Sequence, residues 1–480
     1  MDPKTPLSRR DPEPVDVVIM AAGKGTRMKS SLPKVLHRLG GRALAAHVID
    51  TAARIGARNV VVVTGHGATD VEAALESASI GITPVFVRQV PQLGTGHAVQ
   101  QALPILPDDG TVVVLSGDVP LIGESTLRAL VAESAGRRLA LLTIVVDEPK
   151  GYGRIVRAPG AEGEDEVQSI VEEKDATPAE REIREIYSGV MAVPARQLKT
   201  WLARLGNKNA QGEYYLTDIV GFATLDGVPV VAHRTEDLLQ VTGVNSPAQL
   251  AALERAYQLR QADALMASGV RLADPARFDL RGVLVCEADV EIDVNCVFEG
   301  AVSLGAGVRV GANCVIANAR IETGSVIHPF THIDGEQAGV TVGAGSRIGP
   351  FARLRPGARL GAEVHIGNFV EVKNSSLGAG AKANHLAYLG DATVGQRVNY
   401  GAGSITANYD GVNKHRTIIG DDVHVGSNCV LVAPVTIGAG GTVGAGSTVT
   451  KSTAPATLTI SRARQSTFLN WRRPVKAPKG

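Results

Sequence analysis

A six-residue repeat constrains this chain more than any other feature of its sequence. Between positions 286 and 449 an aliphatic residue, usually followed by glycine or another small residue, returns at every sixth position. An α-helix would place apolar residues three and four apart, and a lone half-buried strand would place them two apart. Hexads instead suit short flat strands joined by tight bends. The aliphatic positions are Leu304, Val310, Ile316, Val342, Ile348, Leu354, Leu360, Ile366, Val372, Ile419, Val425, Leu431, Ile437, Val443 and Val449.

Three hexads make one triangular coil, and stacked coils make a parallel β-helix. Successive coils lie at strand spacing, roughly 4.8 Å, so backbone hydrogen bonds run between coils and one aliphatic side chain per hexad points inward. Glycines in segments such as 342–345 (VGAG) tolerate the bends and leave room for neighbouring coils. The six-residue register slips between Leu377 and Thr417, so we expect the chain to loop out of the coils there.

The first half of the chain alternates short apolar runs with helical patterns. This alternation predicts a Rossmann-like α/β domain that binds its ligand at the carboxyl ends of its strands. The strand-like runs are 15–20, 60–63, 83–87, 111–115 and 139–146, and helical patterns cover 43–55 and 70–77. The expected divisions are a polar N-terminal extension (1–14), the α/β domain (15–246), a linker helix (247–268) and the β-helix domain with a basic tail (269–480).

Composition excludes several classes of function. The chain has 49 basic and 48 acidic residues, so no global field favours nucleic acid or an anionic membrane. Aromatic residues make up 4% of the chain and are not interleaved with basic ones, which excludes a single-strand nucleic-acid binder. Residues 1–14 lack the apolar core of a signal peptide or anchor. Four cysteines without zinc spacing indicate buried thiols in a reducing cytoplasm.

A glycine-rich loop follows the first strand. Gly23 and Gly25 allow backbone amides to point at phosphate oxygens, although the pattern is neither GxGxxG nor GxxxxGK[ST]. A bare glycine loop is more often structural. Arg27 and Lys34 add the positive charge that a transferring phosphoryl group requires, and they favour a phosphate site. Asp118 ends a later strand, where a carboxylate either binds Mg²⁺ or caps the next helix.

Four motifs in this order, together with the hexads, resemble one known family. They are AAGKGTRM (21–28), LPKVL (32–36), QLGTGHA (92–98) and SGDVP (116–120). The first two resemble sugar nucleotidyltransferases. The whole set resembles the bacterial bifunctional N-acetylglucosamine-1-phosphate uridyltransferase and glucosamine-1-phosphate N-acetyltransferase family over nearly the whole chain. The resemblance implies acetyl transfer from acetyl-CoA to glucosamine-1-phosphate. Uridylyl transfer from UTP then gives UDP-N-acetylglucosamine for cell-wall synthesis and releases pyrophosphate.

The resemblance implies a uridyltransferase site in the first domain. Arg27 would be catalytic, and Asp118 and Asn245 would hold one Mg²⁺. Where the family has asparagine, this chain has Tyr187, whose hydroxyl either contacts the sugar or packs without contacting it. The implied UTP and UDP-sugar contacts are Met20, Ala21, Ala22, Gly23, Lys34, Gln89, Gly94, Thr95, Ser116, Gly117, Asp118, Gly153, Glu172, Tyr187 and Asn245.

The hexad region contains residues suited to acetyl transfer. Transfer to an amino sugar needs a base for the amine proton and charges for the sugar phosphate, and His385 is a suitable base. A lone histidine is more often structural, and either Arg355 or Lys373 alone reads as a solvated surface charge. These two cations lie eighteen positions apart, one full coil, so they should stack on one face, and such stacking indicates a bound anion.

The resemblance assigns roles to the remaining residues of this second site. Arg355, Lys373, Tyr388 and Asn399 would bind glucosamine-1-phosphate, and family members are homotrimers. The implied acetyl-CoA contacts are Ala402, Asn408, Tyr409, Ser427, Ala445 and Arg462.

Two other functions stay open on the sequence. One is a nucleotidyltransferase for another sugar phosphate whose β-helix only regulates or oligomerises. The other is a non-catalytic exchange or scaffold subunit, because translation-initiation exchange factors pair similar domains. Such a subunit would be expected to lose Arg27, Lys34 or Asp118, and this chain keeps all three.

Overall fold

The computed structural model describes residues 13–78, 81–159 and 165–476. Most of the predicted polar extension, residues 1–12, lies outside these ranges. The chain forms two compact units that divide between Tyr257 and Gln258, within the predicted linker helix. None of the helices in the described ranges is long and apolar enough to cross a membrane.

In the described ranges the first unit contains eleven strands and eight helices, and the division between the units falls inside a ninth helix. The strands are β1 (Val15–Ala21), β2 (Arg38–Leu39), β3 (Arg42–Ala43), β4 (Asn59–Thr64), β5 (Val85–Arg88), β6 (Thr111–Ser116), β7 (Leu139–Val145), β8 (Arg154–Pro159), β9 (Asp165–Val171), β10 (Glu185–Pro194) and β11 (Val230–Arg234). The helices are α1 (Leu44–Arg54), α2 (Ala68–Ala78), α3 (Thr95–Gln100), α4 (Glu124–Ser134), α5 (Pro178–Arg181), α6 (Ala195–Leu202), α7 (Asp218–Leu225), α8 (Leu238–Val241) and α9 (Pro247–Ala267). Short 3₁₀ helices cover Thr26–Met28 and Lys34–Leu36.

The main sheet of this unit runs in the order β11-β7-β10-β6-β1-β4-β5. The central strand β1 pairs in parallel with β4 and β6, and Val17, Val18 and Ile19 within it are fully buried. The predicted Rossmann-like α/β domain is confirmed, although β10 pairs antiparallel with both β6 and β7. Because parallel strands end at the same edge, the segments after β1 and β6 meet there.

The second unit is a three-faced parallel β-helix, as the hexads predict. Face 1 consists of Arg271–Leu272, Glu291–Ile292, Arg309–Val310, Val326–Ile327, Arg347–Ile348, His365–Asn368, Lys382–His385, Asn399–Tyr400, His424–Val425, Thr442–Val443 and Leu458–Thr459. Three long strands, Phe278–Cys286, Cys296–Leu304 and Val315–Ile321, extend across faces 2 and 3.

Shorter strands complete faces 2 and 3. Face 2 continues with His332–Asp334, Arg353–Leu354, Glu371–Lys373, Tyr388–Gly390, Ile405–Ala407, Val430–Val432 and Thr448–Val449. Face 3 continues with Val340–Val342, Arg359–Leu360, Ser376–Leu377, Ala392–Val394, Thr417–Ile419 and Val435–Ile437. We call the bend between faces 1 and 2 the first corner, and the bend between faces 2 and 3 the second corner.

The aliphatic hexad positions fill the interior of the prism. Each of the fifteen named above is at most 3% exposed, and together they belong to one continuous core. Glycine keeps adjacent coils close, as predicted: a Cβ on Gly343 would stand 2.4 Å from the carbonyl carbon of Gly361 on the next coil. The coils begin at Arg271 and run to Thr459, beyond both ends of the clear hexads.

The irregular interval between Leu377 and Thr417 is more ordered than the sequence predicts. Coils continue through residue 407, each one residue short, so that Arg359 pairs with Ser376 and Lys382 pairs with Asn399, both 17 positions apart. The loop is confined to residues 408–416, and because of it Thr417 pairs with Ala392, 25 positions earlier. The slip is therefore a one-residue shortening, and the looping out follows it.

Candidate active sites

A cavity of about 270 Å³ lies at the carboxyl ends of β1 and β6. Ten of the residues predicted to bind UTP line it, together with four that the sequence reasoning did not identify. The predicted ones are Met20, Ala21, Ala22, Gly23, Lys34, Gln89, Gly94, Thr95, Ser116 and Asp118, and the additional ones are Val35, Gln92, Ala98 and Glu213. Gly117 joins this wall through a 2.9 Å hydrogen bond from its amide to the Met20 carbonyl.

Lys34 connects the two predicted metal ligands. Its Nζ donates to Asp118 Oδ2 at 2.5 Å and to Asn245 Oδ1 at 3.2 Å. Arg27 donates to the same Asn245 oxygen at 2.8 Å, and Ser116 Oγ donates to Asp118 Oδ1 at 2.6 Å. A carboxylate and an amide oxygen from distant parts of the chain therefore converge on one cationic nitrogen.

Local backbone contacts hold these side chains in place. Gly25 has φ +59°, and a Cβ there would lie 2.7 Å from Lys34 Cβ, so glycine lets the loop fold over Lys34. The Val244 amide donates to the Asp118 carbonyl at 3.0 Å, which brings Asn245 to the end of β6.

Gln89 and the start of α3 form the far wall of the cavity. Gln89 is 3% exposed, and its Nε2 donates to the Gly94 carbonyl at 2.9 Å and faces His97 Nδ1 at 3.1 Å. The Thr95 hydroxyl oxygen accepts from the Leu216 amide at 3.0 Å. Gln89 is thus hydrogen-bonded to Gly94, another of the residues predicted to bind UTP.

Gly153, Glu172 and Tyr187 lie together, directly before β8, directly after β9 and on β10. The Tyr187 amide donates to the Gly153 carbonyl at 2.9 Å. Glu172 Oε1 accepts from Thr217 Oγ1 at 2.9 Å. Burial raises the pKa of Glu172, and the negative charges of Asp218, Asp175 and Glu213 raise it further. Burial and the nearby carboxylates thus disfavour the ionised form of Glu172. A carboxyl group in such an unfavourable environment is typical of a functional site.

The structure places Tyr187 in the core. Its side chain belongs to the hydrophobic cluster that contains Ile155, Ile170 and Leu216, and the residue is 9% exposed. Its buried hydroxyl has no hydrogen-bond partner among the described residues. Burial and the charge of Glu172 both raise the pKa of this phenol. Packing thus accounts for Tyr187 without a sugar contact, and the implied contact stays a prediction.

His385 lies at the end of a face 1 strand, beside the first corner. Its Nδ1 is 2.8 Å from Asn368 Oδ1 on the preceding coil. An amide oxygen can only accept, so Nδ1 carries the hydrogen and Nε2 is left as the basic nitrogen. Sequence reasoning missed Asn368, although the 17-residue coil length identifies it as the neighbour of His385.

Most predicted acetyl-CoA contacts form one column along the first corner. Register pairs on face 1 place Ala402 beside His385, Ser427 beside Ala402 and Ala445 beside Ser427. Backbone hydrogen bonds follow the same order, from the Asn428 amide to the Ala402 carbonyl and from the Gly446 amide to the Ser427 carbonyl, each at 2.8 Å. The column ends with the guanidinium of Arg462, which donates to the Ala445 carbonyl at 2.6 Å.

The remaining predicted residues lie on face 2, at the second corner and on face 1. Arg355 and Lys373 are neighbours on successive coils, as predicted, because Leu354 pairs with Val372. Asn408 is buried and begins the loop at 408–416, which also carries Tyr409. Asn399 lies on face 1, on the coil after His385.

The sequence reasoning missed an acidic neighbour of the stacked cations. Arg355 donates to Glu371 Oε1 at 2.8 Å. Lys414, from the loop, lies against Lys373, and its proximity is the main cause that lowers the pKa of the Lys373 ammonium, with burial and Arg355 adding to it. Three cations thus converge on one region, which is typical of an anion site. The Tyr388 hydroxyl lies beside Gly390, which pairs with Lys373, since a Cβ on Gly390 would stand 2.2 Å from it.

A larger hollow, of about 710 Å³, lies on face 1 among the early coils. It is lined by residues between Arg271 and Arg347 and contains none of the predicted site residues.

Comparison with known proteins gives these sites a context. A profile of the MobA-like NTP transferase domain matches residues 17–207. A profile of the bacterial transferase hexapeptide matches 339–374 and 416–451, leaving out the shortened coils and the loop. The chain is 70% identical over 469 residues to the Bifunctional protein GlmU of Albidiferax ferrireducens, covering 96% of this chain and 100% of the relative.

Other relatives cover the chain equally well. The Bifunctional protein GlmU of Azoarcus sp. is 55% identical over 464 residues, covering 96% of this chain and 100% of the relative. That of Polaromonas sp. is 70% identical over 477 residues, covering 97% and 99%. The similarity therefore extends across both units.

We expect Glu172→Gln to stabilise the first unit at neutral pH while it slows turnover there. The folded state holds the pKa of Glu172 above its ordinary value. Above about pH 4 the Glu172 carboxyl ionises in the unfolded wild type but stays protonated in the folded protein. The free energy of unfolding of the wild type therefore falls as the pH rises from there to the raised folded pKa, and it stays lower above it. Below about pH 4 both proteins are neutral and the advantage of glutamine vanishes. Urea unfolding followed by the fluorescence of buried Trp201 measures this at both pH values.

The exposed residue Glu182 supplies the control for this experiment. Glu182→Gln should change stability little at either pH. An advantage of Glu172→Gln that grew on acidification would contradict the electrostatic explanation.

Tyr187→Phe should leave the KM for the sugar phosphate unchanged and should not lower stability. The substitution removes a buried hydroxyl that has no hydrogen-bond partner in the described part of the chain, and burying such a group costs about 1–3 kcal/mol. Tyr187→Asn should destabilise by roughly 3 kcal/mol through the cavity it leaves. Steady-state kinetics and urea unfolding of both variants check this. A tenfold rise in KM for Tyr187→Phe would show that the hydroxyl contacts the sugar.

Proposed function

The chain belongs to the family of bifunctional GlmU proteins, and we propose that its two sites divide the two reactions between the two units. The protein is an enzyme of UDP-N-acetylglucosamine synthesis. It transfers acetyl from acetyl-CoA to glucosamine-1-phosphate, and then uridylyl from UTP to N-acetylglucosamine-1-phosphate. We assign uridylyl transfer to the first unit and acetyl transfer to the β-helix.

The observation that carries the first assignment is the convergence of Lys34, Asp118, Asn245 and Arg27 at one end of the cavity. In uridylyl transfer an oxygen of the sugar phosphate attacks the α-phosphorus of UTP in line. The bond from that phosphorus to the bridging oxygen breaks, and pyrophosphate leaves with the electron pair. Arg27 and Lys34 would neutralise the charge that develops on the phosphate oxygens.

We propose that Asp118 and Asn245 hold one Mg²⁺. Their oxygens lie 2.5 and 3.2 Å from the Lys34 nitrogen, and the Asn245 oxygen also accepts from Arg27, so this donor set already faces positive charge. Mg²⁺ prefers oxygen ligands and takes few from protein, completing its shell with water and phosphate. No cluster of three or more His, Cys, Asp or Glu ligands occurs in the described ranges, and this small set fits such a phosphate-linked ion. When bound, the ion would supply positive charge to the phosphates.

The observation that carries the second assignment is the oriented imidazole of His385. With its Nδ1 hydrogen held by Asn368, Nε2 can take the proton from the amine of glucosamine-1-phosphate. The amine nitrogen forms a bond to the thioester carbonyl carbon, the carbon–sulfur bond breaks, and CoA leaves with the sulfur electron pair. Arg355 and Lys373 would hold the sugar phosphate across face 2, with Tyr388 and Asn399 on the sugar.

A bifunctional enzyme accounts for the structure better than the two rival functions. A single-activity nucleotidyltransferase with a passive β-helix gives no reason for an oriented histidine beside a cluster of cations. A scaffold subunit gives no reason for Lys34 to join Asp118 and Asn245. Both clusters have the composition that catalysis needs.

We further propose that three chains assemble through the first corner. Phe330, Phe351 and Phe369 stack there on successive coils, with ring centroids 4.9 and 5.5 Å apart, and each is about half exposed. Their φ angles are +61°, +55° and +59°, a conformation that bulky residues rarely adopt. An exposed apolar ridge of this kind marks a surface that is covered in the assembly. A second copy of the β-helix, aligned parallel to the first, can supply the covering surface.

We also propose a reducing compartment, the cytoplasm, as the location. The four cysteines are free, and three of them are buried in the β-helix. Burial raises the pKa of Cys296 to about 11 and that of Cys314 to about 12, so these thiols are inert packing groups.

Asp118→Ala and His385→Ala should separate the two half-reactions. Asp118→Ala should abolish pyrophosphate release and spare thiol release, because only the first site loses a charged ligand. His385→Ala should slow thiol release by about 10²–10⁴-fold, the usual contribution of a general base. It should keep pyrophosphate release when N-acetylglucosamine-1-phosphate is supplied. A thiol reagent and a coupled pyrophosphate assay, with all substrates and Mg²⁺ present, measure each product.

Matched variants make this experiment specific. The exposed residues Asp147 and His332 lie outside both clusters, and alanine at either should leave both products unchanged. Absence of thiol release from the wild-type protein would overturn the bifunctional assignment.

Replacing Phe330, Phe351 and Phe369 together by asparagine should dissociate the assembly without unfolding the coils. Asparagine tolerates the left-handed backbone at these corners, so only the apolar surface is lost. Sedimentation velocity should change from three chains of 50.0 kDa to one. Val285→Asn, at an exposed apolar position on face 3, should leave the assembly intact. Intact trimers of the triple variant would rule out the first corner as the interface.

A further inference from the structure

Asp391 is a buried carboxylate at the second corner of the β-helix. It lies between the strands Tyr388–Gly390 and Ala392–Val394, and it is 7% exposed. None of the roles assigned above involves this residue. A buried carboxylate is costly unless it is hydrogen-bonded, so its partners indicate what it does.

Two asparagine side chains on adjacent coils bind this carboxylate. Asn374 Nδ2 donates to Asp391 Oδ1, and Asn408 Nδ2 donates to Asp391 Oδ2, each at 2.5 Å. The three residues follow one another at 17-position intervals, so they form a column at the second corner. Hydrogen bonds to a charged acceptor are about twice as strong as neutral ones, so this column fixes the rotamer of both amides.

The upper member of the column begins the loop at 408–416. The His415 amide donates to the Asn408 carbonyl at 2.8 Å, and Tyr409 pairs with Lys414, so the loop closes directly on Asn408. Asp391 therefore holds the base of the loop that carries Tyr409, and the loop presents Lys414 to Lys373.

The lower side of the column reaches the cation cluster. The Asp391 amide donates to the Lys373 carbonyl at 3.1 Å, and the negative charge of Asp391 acts to raise the pKa of the Lys373 ammonium. Asp391 thus contacts both the coil proposed to hold the sugar phosphate and the residue proposed to contact acetyl-CoA.

We infer that Asp391 is a positioning residue for acetyl transfer, which orients Asn408 and the 408–416 loop for the coenzyme. This inference rests on the proposed acetyl transfer in the β-helix. Asp391 touches neither substrate. It acts through the side-chain amide of Asn408, which it aligns by accepting one hydrogen bond. Within the described ranges the oxygen and the second hydrogen of that amide have no partner, so they can bind a ligand.

Asp391→Asn tests this inference without changing the size of the side chain. One of the two acceptor oxygens becomes an NH₂ group, which then faces an amide donor. We expect the KM for acetyl-CoA and the dissociation constant of CoA, measured by calorimetry, to rise about tenfold or more. Pyrophosphate release from N-acetylglucosamine-1-phosphate and UTP should stay unchanged, because that site lies in the first unit.

A double variant restores the hydrogen bonds and serves as the matched control. In Asp391→Asn with Asn374→Asp, the new carboxylate at 374 accepts from the amide at 391, whose oxygen accepts from Asn408. Net charge and the numbers of donors and acceptors equal those of wild type. The KM for acetyl-CoA should return to within threefold of the wild-type value. Asn374→Ala, which leaves the bond between Asp391 and Asn408 intact, should also keep a near-wild-type KM.

Each outcome separates this inference from the proposed function. If wild type releases no thiol, the proposed function fails. If wild type is active and Asp391→Asn lowers only the thermal midpoint, with KM and CoA binding unchanged, the role is structural and the inference is overturned. A raised KM that the double variant does not restore overturns the route through Asn408. If Asp391→Asn does not fold, the double variant still tests the inference. A raised KM for acetyl-CoA in the double variant contradicts it.

Discussion

Backbone hydrogen bonding between successive coils is the constraint on which the second unit depends. Each coil is held by the one before it, so residues one coil apart along the chain stack as neighbours in space. Sequence spacing is thereby converted into columns: Asn368, His385, Ala402, Ser427 and Ala445 at the first corner, and Asn374, Asp391 and Asn408 at the second. The inward aliphatic residues supply stability, and the outward positions are free to carry chemistry. Face 2 lies between the two columns, so a substrate bound there reaches both.

The first unit positions its residues by a different rule. Its active groups come from segments that follow separate parallel strands, and they meet because those strands end at one edge. Lys34, Asp118 and Asn245 lie far apart in the chain and share one set of hydrogen bonds. Asp118 is also bound by Ser116 and by the Val244 amide. The loops are thus tied to the sheet edge by the same residues that are proposed to bind phosphate and metal.

The sequence predicted the regular parts of this protein well. The hexad period identified the inward residues, and the eighteen-position spacing placed Arg355 beside Lys373. Motif resemblance identified most of the cavity lining, but it assigned no role to Gln92, which opens the QLGTGHA motif, and it missed Glu213, which lies in none of the four motifs. The irregular interval was predicted least well. Coils that are one residue short shift the spacing of the apolar residues, so these ordered coils look like an interruption of the repeat. Partners such as Asn368 and Glu371 are therefore identified only once the strand pairing is known. Tyr187 was hard to predict for a different reason. The sequence alone does not show whether a tyrosine hydroxyl is buried or exposed to solvent and ligands.

The 25-residue coil has a consequence for how such a protein changes over time. The entropy of closing a loop grows only with the logarithm of its length, so extending one coil from 17 to 25 residues costs about 0.3 kcal/mol. The coils above and below form the same hydrogen bonds in either case. Lengthening, shortening or replacing the loop at 408–416 therefore changes the stability of the β-helix very little. Selection can remodel the groups that meet the coenzyme while the prism beneath them keeps its register.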